Sequence, residues 1–187
     1  DADAFSSFQR DRRAALWEAL AQEQKEVEQP LFDLIEAEDD QTPKLPMMQA
    51  AEEVEMDYRT AGLSLKGQPI MFWRKSLDQQ NVLPANELAT FPNDRYVKVA
   101  GLVLMRQRPS TAKGITFVTL EDETGTVNLV IRQYVWERYY RIARRSNAWL
   151  VHGTLENRNR IQHVVVQRLE DLSTKLGELK PKSRDFR

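Results

Sequence analysis

The stretch "VAGLVLMRQRPSTAKGITFVTLEDETGTVNLVI", residues 99–131, decides the predicted fold. Apolar runs rich in Val, Leu and Phe alternate in it with clusters of turn-forming residues, a pattern that predicts three successive β-strands. The first strand contains an interior glycine, Gly101, which is typical of a bulge or a sharp bend. Such a bend would let one long strand pair on two sides of a small closed sheet.

A helix and two more strands are predicted after this stretch. The sequence "RQYVWERYYRIARR" (132–145) has the apolar spacing of a helix, whereas "AWLVHGTLE" (148–156) and "IQHVVVQRLEDL" (161–172) have the composition of strands. Five strands with a helix between the third and the fourth is the order of an OB-fold, a small Greek-key barrel. The predicted class is therefore α+β, a five-stranded OB-fold β-barrel preceded by a helical segment. A five-stranded sandwich-like domain is the alternative.

The residues before the barrel are predicted to form helices joined by a linker. Apolar residues recur at helical spacing in 12–24, within 47–65 and in 68–80. The intervening segment 25–46 is acidic and carries three prolines, which indicates an extended connector.

The composition excludes several classes of protein. The chain of 187 residues has 41% hydrophobic residues and no cysteine, so disulfides and thiolate-metal sites are excluded. No apolar run is long enough for a membrane span or a signal peptide, so we expect a soluble cytoplasmic protein with no membrane partner. Because the sequence begins at Asp1 without a methionine, we also expect it to be a piece of a longer protein.

The charge is distributed unevenly between the two halves of the chain. Residues 1–93 hold 9 basic and 18 acidic residues, whereas residues 94–187 hold 18 basic and 10 acidic residues. A basic half suits nucleic acid or an acidic protein as partner, and a solvated surface of mixed charge is the plainer explanation.

The basic residues of the second half cluster in two predicted loops. Arg106, Arg108 and Lys113 lie between strands one and two, and Arg158 and Arg160 lie in "NRNR" between strands four and five. These are the two loops that usually flank the ligand groove of an OB-fold, so we expect both to place charge at the same mouth. Because guanidinium groups bind phosphates without reading base sequence, the pattern predicts a site for single-stranded DNA.

Aromatic and histidine side chains on the strands are candidates for stacking on bases. Phe117, Trp149, His152 and His163 could present flat faces in the groove. The alternative for Phe117 and Trp149 is burial in the core, which is the more common position of such residues.

The sequence contains no motif that indicates a catalytic site. His152 and His163 are its only histidines, and no carboxylates are spaced to join them in a metal site. The acidic triplet 121–123 leads into Thr124-Gly125, which indicates a turn. No phosphate-binding glycine loop, serine elbow or HExxH motif occurs, so we predict no catalytic and no metal-binding residues in this chain.

The string RQRP-x-TAKG-x-x-F-x-TLEDETG, at 106–125, resembles the C-terminal region of bacterial C-family error-prone DNA polymerases of the DnaE type, the paralogue often called ImuC. The upstream segment 45–74 and the final "SRDFR" are also similar to that region, and the resemblance covers nearly the whole chain. It implies a parent DNA polymerase of mutagenic translesion synthesis, with Mg²⁺ and the catalytic site upstream of this chain. It also implies contacts with other domains of the polymerase and with ImuA- and ImuB-type accessory proteins.

The change of sequence pattern at about residue 94, together with the resemblance, gives the predicted domain boundaries. Residues 1–29 would be the end of a helix-hairpin-helix region and 30–93 an acidic linker and helical connector. Residues 94–174 would be the OB-fold domain and 175–187 a C-terminal tail. The chain departs from the family pattern at Gln68, where His is frequent, and in "RQYVWERYYR", which replaces the usual Trp-Pro-containing start of the helix.

Two further functions compete with DNA binding at this point. The first is a protein-interaction module that docks polymerase partners or the sliding clamp, and "QPLFDLI" at 29–35 loosely resembles clamp-binding peptides. The second is the anticodon-binding OB domain of a tRNA synthetase, which shares the style of the second strand but leaves residues 1–93 unexplained.

Overall fold

The structure is a computed structural model that describes residues 12–25, 45–158, 161–173 and 184–186. The chain divides into two compact units, Asp1–Glu53 and Val54–Arg187. The domain boundaries proposed from the sequence remain predictions. The sequence "QPLFDLI" lies outside the described residues.

Helix α1 (Arg12–Lys25) belongs to the first unit. The Arg13 guanidinium donates to the carbonyl of Pro46 at 3.0 Å and lies 3.2 Å from a carboxylate oxygen of Glu52. Another carboxylate contact of Glu52, with the backbone N–H of Gln49, caps the start of helix α2 (Ala50–Thr60).

The second unit begins within α2 and continues through three short helical segments. They are a 3₁₀ turn at Pro69–Trp73, helix α3 (Arg74–Gln79) and a 3₁₀ turn at Ala85–Thr90. The helices predicted in 12–24 and 47–65 are confirmed, and the one predicted in 68–80 is divided into a 3₁₀ and an α part.

Five strands then close into a barrel. They are β1 (Tyr96–Gln107), β2 (Thr116–Glu121), β3 (Thr126–Ile131), β4 (Ala148–Arg158) and β5 (Ile161–Asp171). The order of pairing is β1-β2-β3-β5-β4 and back to β1, with β3 and β5 parallel and the other pairs antiparallel. This closed topology confirms the OB-fold and excludes the sandwich alternative.

Strand β1 serves both sides of the barrel, as its length predicted. Its first part pairs with β4 and its last part with β2, and Leu102 takes part in both ladders. The register shifts between Val103 and Met105, two residues after the predicted position. Gly101 has a different role: a Cβ there would lie 2.7 Å from the carbonyl oxygen of Glu121, so close strand packing requires glycine.

Two hydrophobic clusters stabilise the second unit. The larger one fills the barrel and contains Trp149, which is fully buried. The smaller one lies on the outer face of β1 and β4, where Leu102 and Leu150 pack against Val54 and Ile70 of the helical segment. The segment from Val54 onward is therefore held to the barrel by an apolar core of its own.

Two features differ from the sequence prediction. The helix predicted at 132–145 is two helices, α4 (Gln133–Arg138) and α5 (Tyr140–Arg145), because Tyr139 between them has φ −108° and ψ 25°. Within the predicted C-terminal tail, a short strand β6 (Arg184–Phe186) pairs parallel with the end of β1. In the part of the chain that the structure describes, no helix has the length and apolarity of a membrane span.

Candidate nucleic-acid interface

An open groove of about 560 Å³ lies on the outer face of the barrel across β1, β2, β3 and β5. On β2 and β3 alternate side chains point outward, and cross-strand register pairs Phe117 with Val130 and Thr119 with Asn128. Val118 and Leu129 between them are buried in the core. The groove thus has an apolar end and an amide-and-hydroxyl end. Its outward-facing wall includes Gln107, Phe117, Thr119, Asn128, Val130 and His163.

Phe117 is the aromatic side chain that the structure leaves available in the groove. It is 40% exposed, so a large part of its ring can be covered by a ligand. Trp149 is 0% exposed and belongs to the core, as the sequence alternative held. Of the two aromatic candidates, only Phe117 has an exposed ring that lines the groove.

The two histidines lie on different outer faces. His163 lines the groove, with its Nε2 atom 3.6 Å from a carboxylate oxygen of Glu156. His152 is on β4, where its Nδ1 lies 2.7 Å from the Tyr96 hydroxyl and its Nε2 lies 2.8 Å from Glu170. His152 is therefore engaged in a polar network away from the groove.

The loop between β1 and β2 carries two exposed cations. Arg108 and Lys113 are both exposed, on either side of a 3₁₀ turn at Ser110–Ala112. Lys113 and Gly114 have positive φ angles of 47° and 84°, which reverse the chain into β2. The loop ends at the groove, since Gln107 and Phe117 on its two sides line it.

Arg106 was predicted to bind DNA in the loop, but the structure places it elsewhere. It belongs to β1, is 6% exposed, and faces the barrel interior opposite Val118. Its Nε donates to the carbonyl of Ala143 at 3.0 Å, and its guanidinium lies 5.4 Å from the centre of the Trp149 ring. A guanidinium held there stabilises the carbonyl end of α5 and is withdrawn from the groove.

The described residues next to the second predicted loop lie away from the first loop. β3 and β5 are parallel, with Val130 opposite Val165, so the end of β4 and the start of β5 lie toward the turn between β2 and β3. The loop at 108–115 adjoins the opposite end of β3, so the described residues do not bring the two loops to one shared mouth. Arg158 is the last residue of β4, and Arg160 lies outside the described residues.

The acidic turn at 121–123 is structural. Asp122 is buried, and one of its oxygens accepts hydrogen bonds from the N–H and hydroxyl of Thr124 and from the N–H of Gly125, at 2.7 to 3.0 Å. The other oxygen accepts from the N–H of Ala85 at 2.8 Å. Asp122 therefore closes the turn and caps the 3₁₀ turn at Ala85–Thr90.

Arg74 binds the same acidic turn from the helical segment. Its Nη2 donates to Glu123 at 3.1 Å and lies 3.5 Å from Asp122, and another nitrogen donates to the carbonyl of Val82 at 3.2 Å. Burial by itself would lower the pKa of Arg74, but the hydrogen bond with Glu123 and the charges of Glu123, Asp122 and Asp78 raise it. Sequence reasoning missed Arg74, which lies 49 residues from Glu123.

The described residues hold no cluster of three or more histidine and carboxylate side chains that could bind a metal ion.

One family model and one solved structure each match part of the chain. The family model described as "OB-fold nucleic acid binding domain" matches residues 97–172. Among solved structures, asparaginyl-tRNA synthetase from Pyrococcus horikoshii, complexed with asparaginyl-adenylate, has a TM-score of 0.42 and 21% identity over 49% of this chain and 22% of that one.

The similar curated proteins match the chain from end to end. "Error-prone DNA polymerase" of Rhodopirellula baltica is 51% identical over 187 residues, which are 100% of this chain and 16% of that protein. "Error-prone DNA polymerase 1" of Rhizobium meliloti is 44% identical over 191 residues, covering 100% and 17%, and the Caulobacter vibrioides protein is 42% identical over 183 residues, covering 96% and 17%. The chain thus spans about a sixth of the length of these relatives. The match includes residues 1–93, which the tRNA synthetase alternative leaves unexplained.

Proposed function

Because the chain is homologous to the C-terminal part of bacterial error-prone DNA polymerases, we propose that its OB-fold domain binds single-stranded DNA in the groove across β1, β2, β3 and β5. The observation that carries the proposal is the exposed Phe117 ring in an open groove next to two exposed loop cations.

The groove offers the groups that a single strand needs. Phe117 supplies a stacking face, and Val130 opposite it supplies an apolar neighbour. Thr119 and Asn128, whose side-chain oxygens lie 3.5 Å apart, supply hydroxyl and amide groups that can bond to base edges. A surface of this kind favours single strands, because in a duplex the base faces are covered by stacking and the Watson–Crick edges by pairing.

The loop supplies charge for the phosphates. Arg108 and Lys113 have no carboxylate partner among the described residues, so both cations are free to bind phosphate oxygens. Arg158 and Arg160 of the second predicted loop would add two further phosphate contacts. With four such contacts, a short strand confined to the groove should show a log–log salt slope near about −3, at about −0.7 per contact.

The test is fluorescence anisotropy of a labelled oligothymidylate across a salt series. Phe117→Ala should weaken binding by roughly tenfold without changing the salt slope, since it removes stacking and no charge. Arg108→Ala/Lys113→Ala should make the slope shallower by about 1.4. Lys66→Ala/Lys75→Ala, which removes two exposed charges from the helical segment, is the matched control. Equal binding by all four proteins would overturn the proposal.

The wider role follows from the relatives and belongs to the same proposal. We assign nucleotide addition and its Mg²⁺ to the parts of the polymerase beyond this homologous region, so this region itself would be non-catalytic. The parent would act in translesion synthesis and DNA repair in the cytoplasm, with ImuA- and ImuB-type proteins or the sliding clamp as partners.

A docking role for the helical segment is a second candidate. Met71, Phe72 and Trp73 follow one another in the 3₁₀ turn and are 43%, 41% and 38% exposed. Such adjacent exposed apolar side chains are typical of a protein interface, and other domains of the polymerase are the expected partner. Loss of full-length polymerase activity in Phe72→Ser, with DNA binding of this region unchanged, would support it, and unchanged activity would contradict it.

A further inference from the structure

The outer face of α4 and α5 is an exposed row of arginines. Between residues 132 and 145 there are five arginines and one acidic residue, Glu137, in a chain whose net charge is −1. All five are exposed. Arg138, Arg141 and Arg144 are three residues apart, and Arg145 is four residues after Arg141, so these side chains follow successive helical turns. We call this surface the arginine face, and its members are Arg132, Arg138, Arg141, Arg144 and Arg145.

The charge of the arginine face is not neutralised by carboxylates in the part of the chain that the structure describes. None of the five guanidinium groups has a carboxylate partner among the described residues. The carboxylate of Glu137 instead accepts a hydrogen bond from the side chain of Gln133 at 2.8 Å. An uncompensated cluster of this size raises the local concentration of a polyanion.

Aromatic side chains are interleaved with these cations. Tyr134 is 62% exposed and Tyr140 is 47% exposed, so both rings can be covered by a ligand. The Arg144 guanidinium lies 5.8 Å from the Tyr140 ring centre and donates to its hydroxyl. Exposed aromatic rings among arginines are the composition of surfaces that bind single-stranded nucleic acid.

The opposite side of the two helices is fixed to the barrel. Val135 and Ala143 are buried in the main core, and the carbonyl of Ala143 accepts the hydrogen bond from Arg106. The arginine face therefore has a defined backbone. Ligand binding to it does not carry the entropy cost of ordering a loop.

The loop beside the groove joins the arginine face at its first residues. A Cβ on Gly114 would lie 2.3 Å from Oε1 of Gln133, so the loop at 108–115 packs directly on the start of α4. The cations therefore form one path, from Lys113 at the end of the groove to Arg132 and then along the helices.

We propose that the arginine face binds the sugar-phosphate backbone of single-stranded DNA where the strand leaves the groove. This inference rests on the proposed function, because it treats the groove and the arginine face as one continuous site. The 14 residues from Arg132 through Arg145 extend at most about 20 Å along the two helices, which is long enough to accompany several phosphates.

The test compares the three-fold variant Arg138→Gln/Arg141→Gln/Arg145→Gln with the wild-type chain on oligothymidylates of about 6 and about 20 nucleotides. The first length is near the lower end of the range of about 4–16 nucleotides that one OB site spans, and the second exceeds that range. Glutamine keeps the helix propensity and removes the charge. Lys66→Gln/Lys75→Gln/Arg168→Gln removes three charges from other surfaces and is the matched control. Circular dichroism and the urea midpoint verify that both variants are folded.

We expect the variant to bind the long oligonucleotide roughly tenfold or more weakly, with a salt slope shallower by about 2, and to bind the short one as the wild type does. The control should match the wild type on both lengths. If the variant and the control bind the long oligonucleotide equally and Phe117→Ala still binds it more weakly, the proposal that the arginine face binds DNA is wrong, whereas the groove proposal stands. If the arginine variant binds more weakly and Phe117→Ala binds as the wild type does, the groove proposal is wrong instead. Stronger binding to a duplex of the same length, abolished by the arginine variant, would overturn the assignment to a single strand.

Discussion

The guanidinium carbon of Arg106 lies 5.4 Å from the centre of the buried Trp149 ring, so the first arginine of the "RQRP" string is part of the barrel core. Both side chains also bond to the carbonyl of Ser146, Arg106 through Nη2 and Trp149 through Nε1. One cation thus ties the end of β1 to the end of α5. The basic residues of the string therefore divide into a structural one, Arg106, and two exposed ones, Arg108 and Lys113, which we propose bind the ligand.

Substitution of Arg106 is expected to cost stability. Arg106→Met should lower the free energy of unfolding by about 2 to 3 kcal/mol, because the buried carbonyl of Ala143 loses its donor. Urea denaturation measures the change, and Arg108→Met, an exposed position in the same string, should stay within about 0.5 kcal/mol of wild type. An unchanged unfolding free energy in Arg106→Met together with lost DNA binding would show that Arg106 acts on the ligand.

Asp122 is expected to be the most sensitive acidic residue. Asp122→Ala should cost about 3 kcal/mol or more, since the donors of Thr124, Gly125 and Ala85 lose their acceptor and Arg74 loses a nearby charge. Asp122→Asn keeps one acceptor oxygen and should cost less. Thermal and urea unfolding would measure both. The exposed Glu87→Ala serves as the reference, and a cost for Asp122→Ala no larger than that of Glu87→Ala would contradict the role of the turn.

Alkaline pH should destabilise the second unit partly through Tyr58. Burial, and then the charge of Glu121, raise the pKa of Tyr58 from 10.0 to about 12. The unfolded chain therefore ionises first, so the contribution of the neutral phenol is fully present below pH 10 and is lost as the pH rises toward 12. The loss between pH 8 and pH 11 should be about 1 kcal/mol greater in wild type than in Tyr58→Phe. Parallel loss in the two proteins would exclude Tyr58 as the source.

Phe117 should be dispensable for folding. Because its ring is 40% exposed, Phe117→Ala should cost no more than about 1 kcal/mol. Leu120→Ala on the same strand, at a fully buried position, should cost about 2 to 5 kcal/mol. Comparable losses at the two positions would mean that Phe117 is a core residue and that its exposure has no functional meaning.

The strands could be predicted from the sequence because their side chains alternate. In β2 and β3 every second residue is buried, and the barrel order followed from the number and spacing of the strands. The position of Arg106 could not be predicted in the same way. The register shift between Val103 and Met105 changes which face of β1 its last residues occupy, and no residue type in that string signals the shift.

Long-range contacts also could not be predicted from local sequence patterns. Arg74 and Glu123 are 49 residues apart, and their pairing depends on how the helical segment packs on the barrel. The positive charge of the arginines at 138–145 can be recognised from the sequence. Their common exposed face, however, depends on which side of α4 and α5 the core buries.

The most direct test of the central claim is a nitrogen–proton correlation titration of the isotopically labelled chain with a short oligothymidylate. The account predicts the largest shifts at the amides of Phe117, Thr119 and Asn128 and in the loop at 108–115, with small shifts at Tyr96 and His152 on the other outer face. Shifts centred on Tyr96 and His152, or no shifts at low salt, would contradict a single-stranded DNA site in the groove.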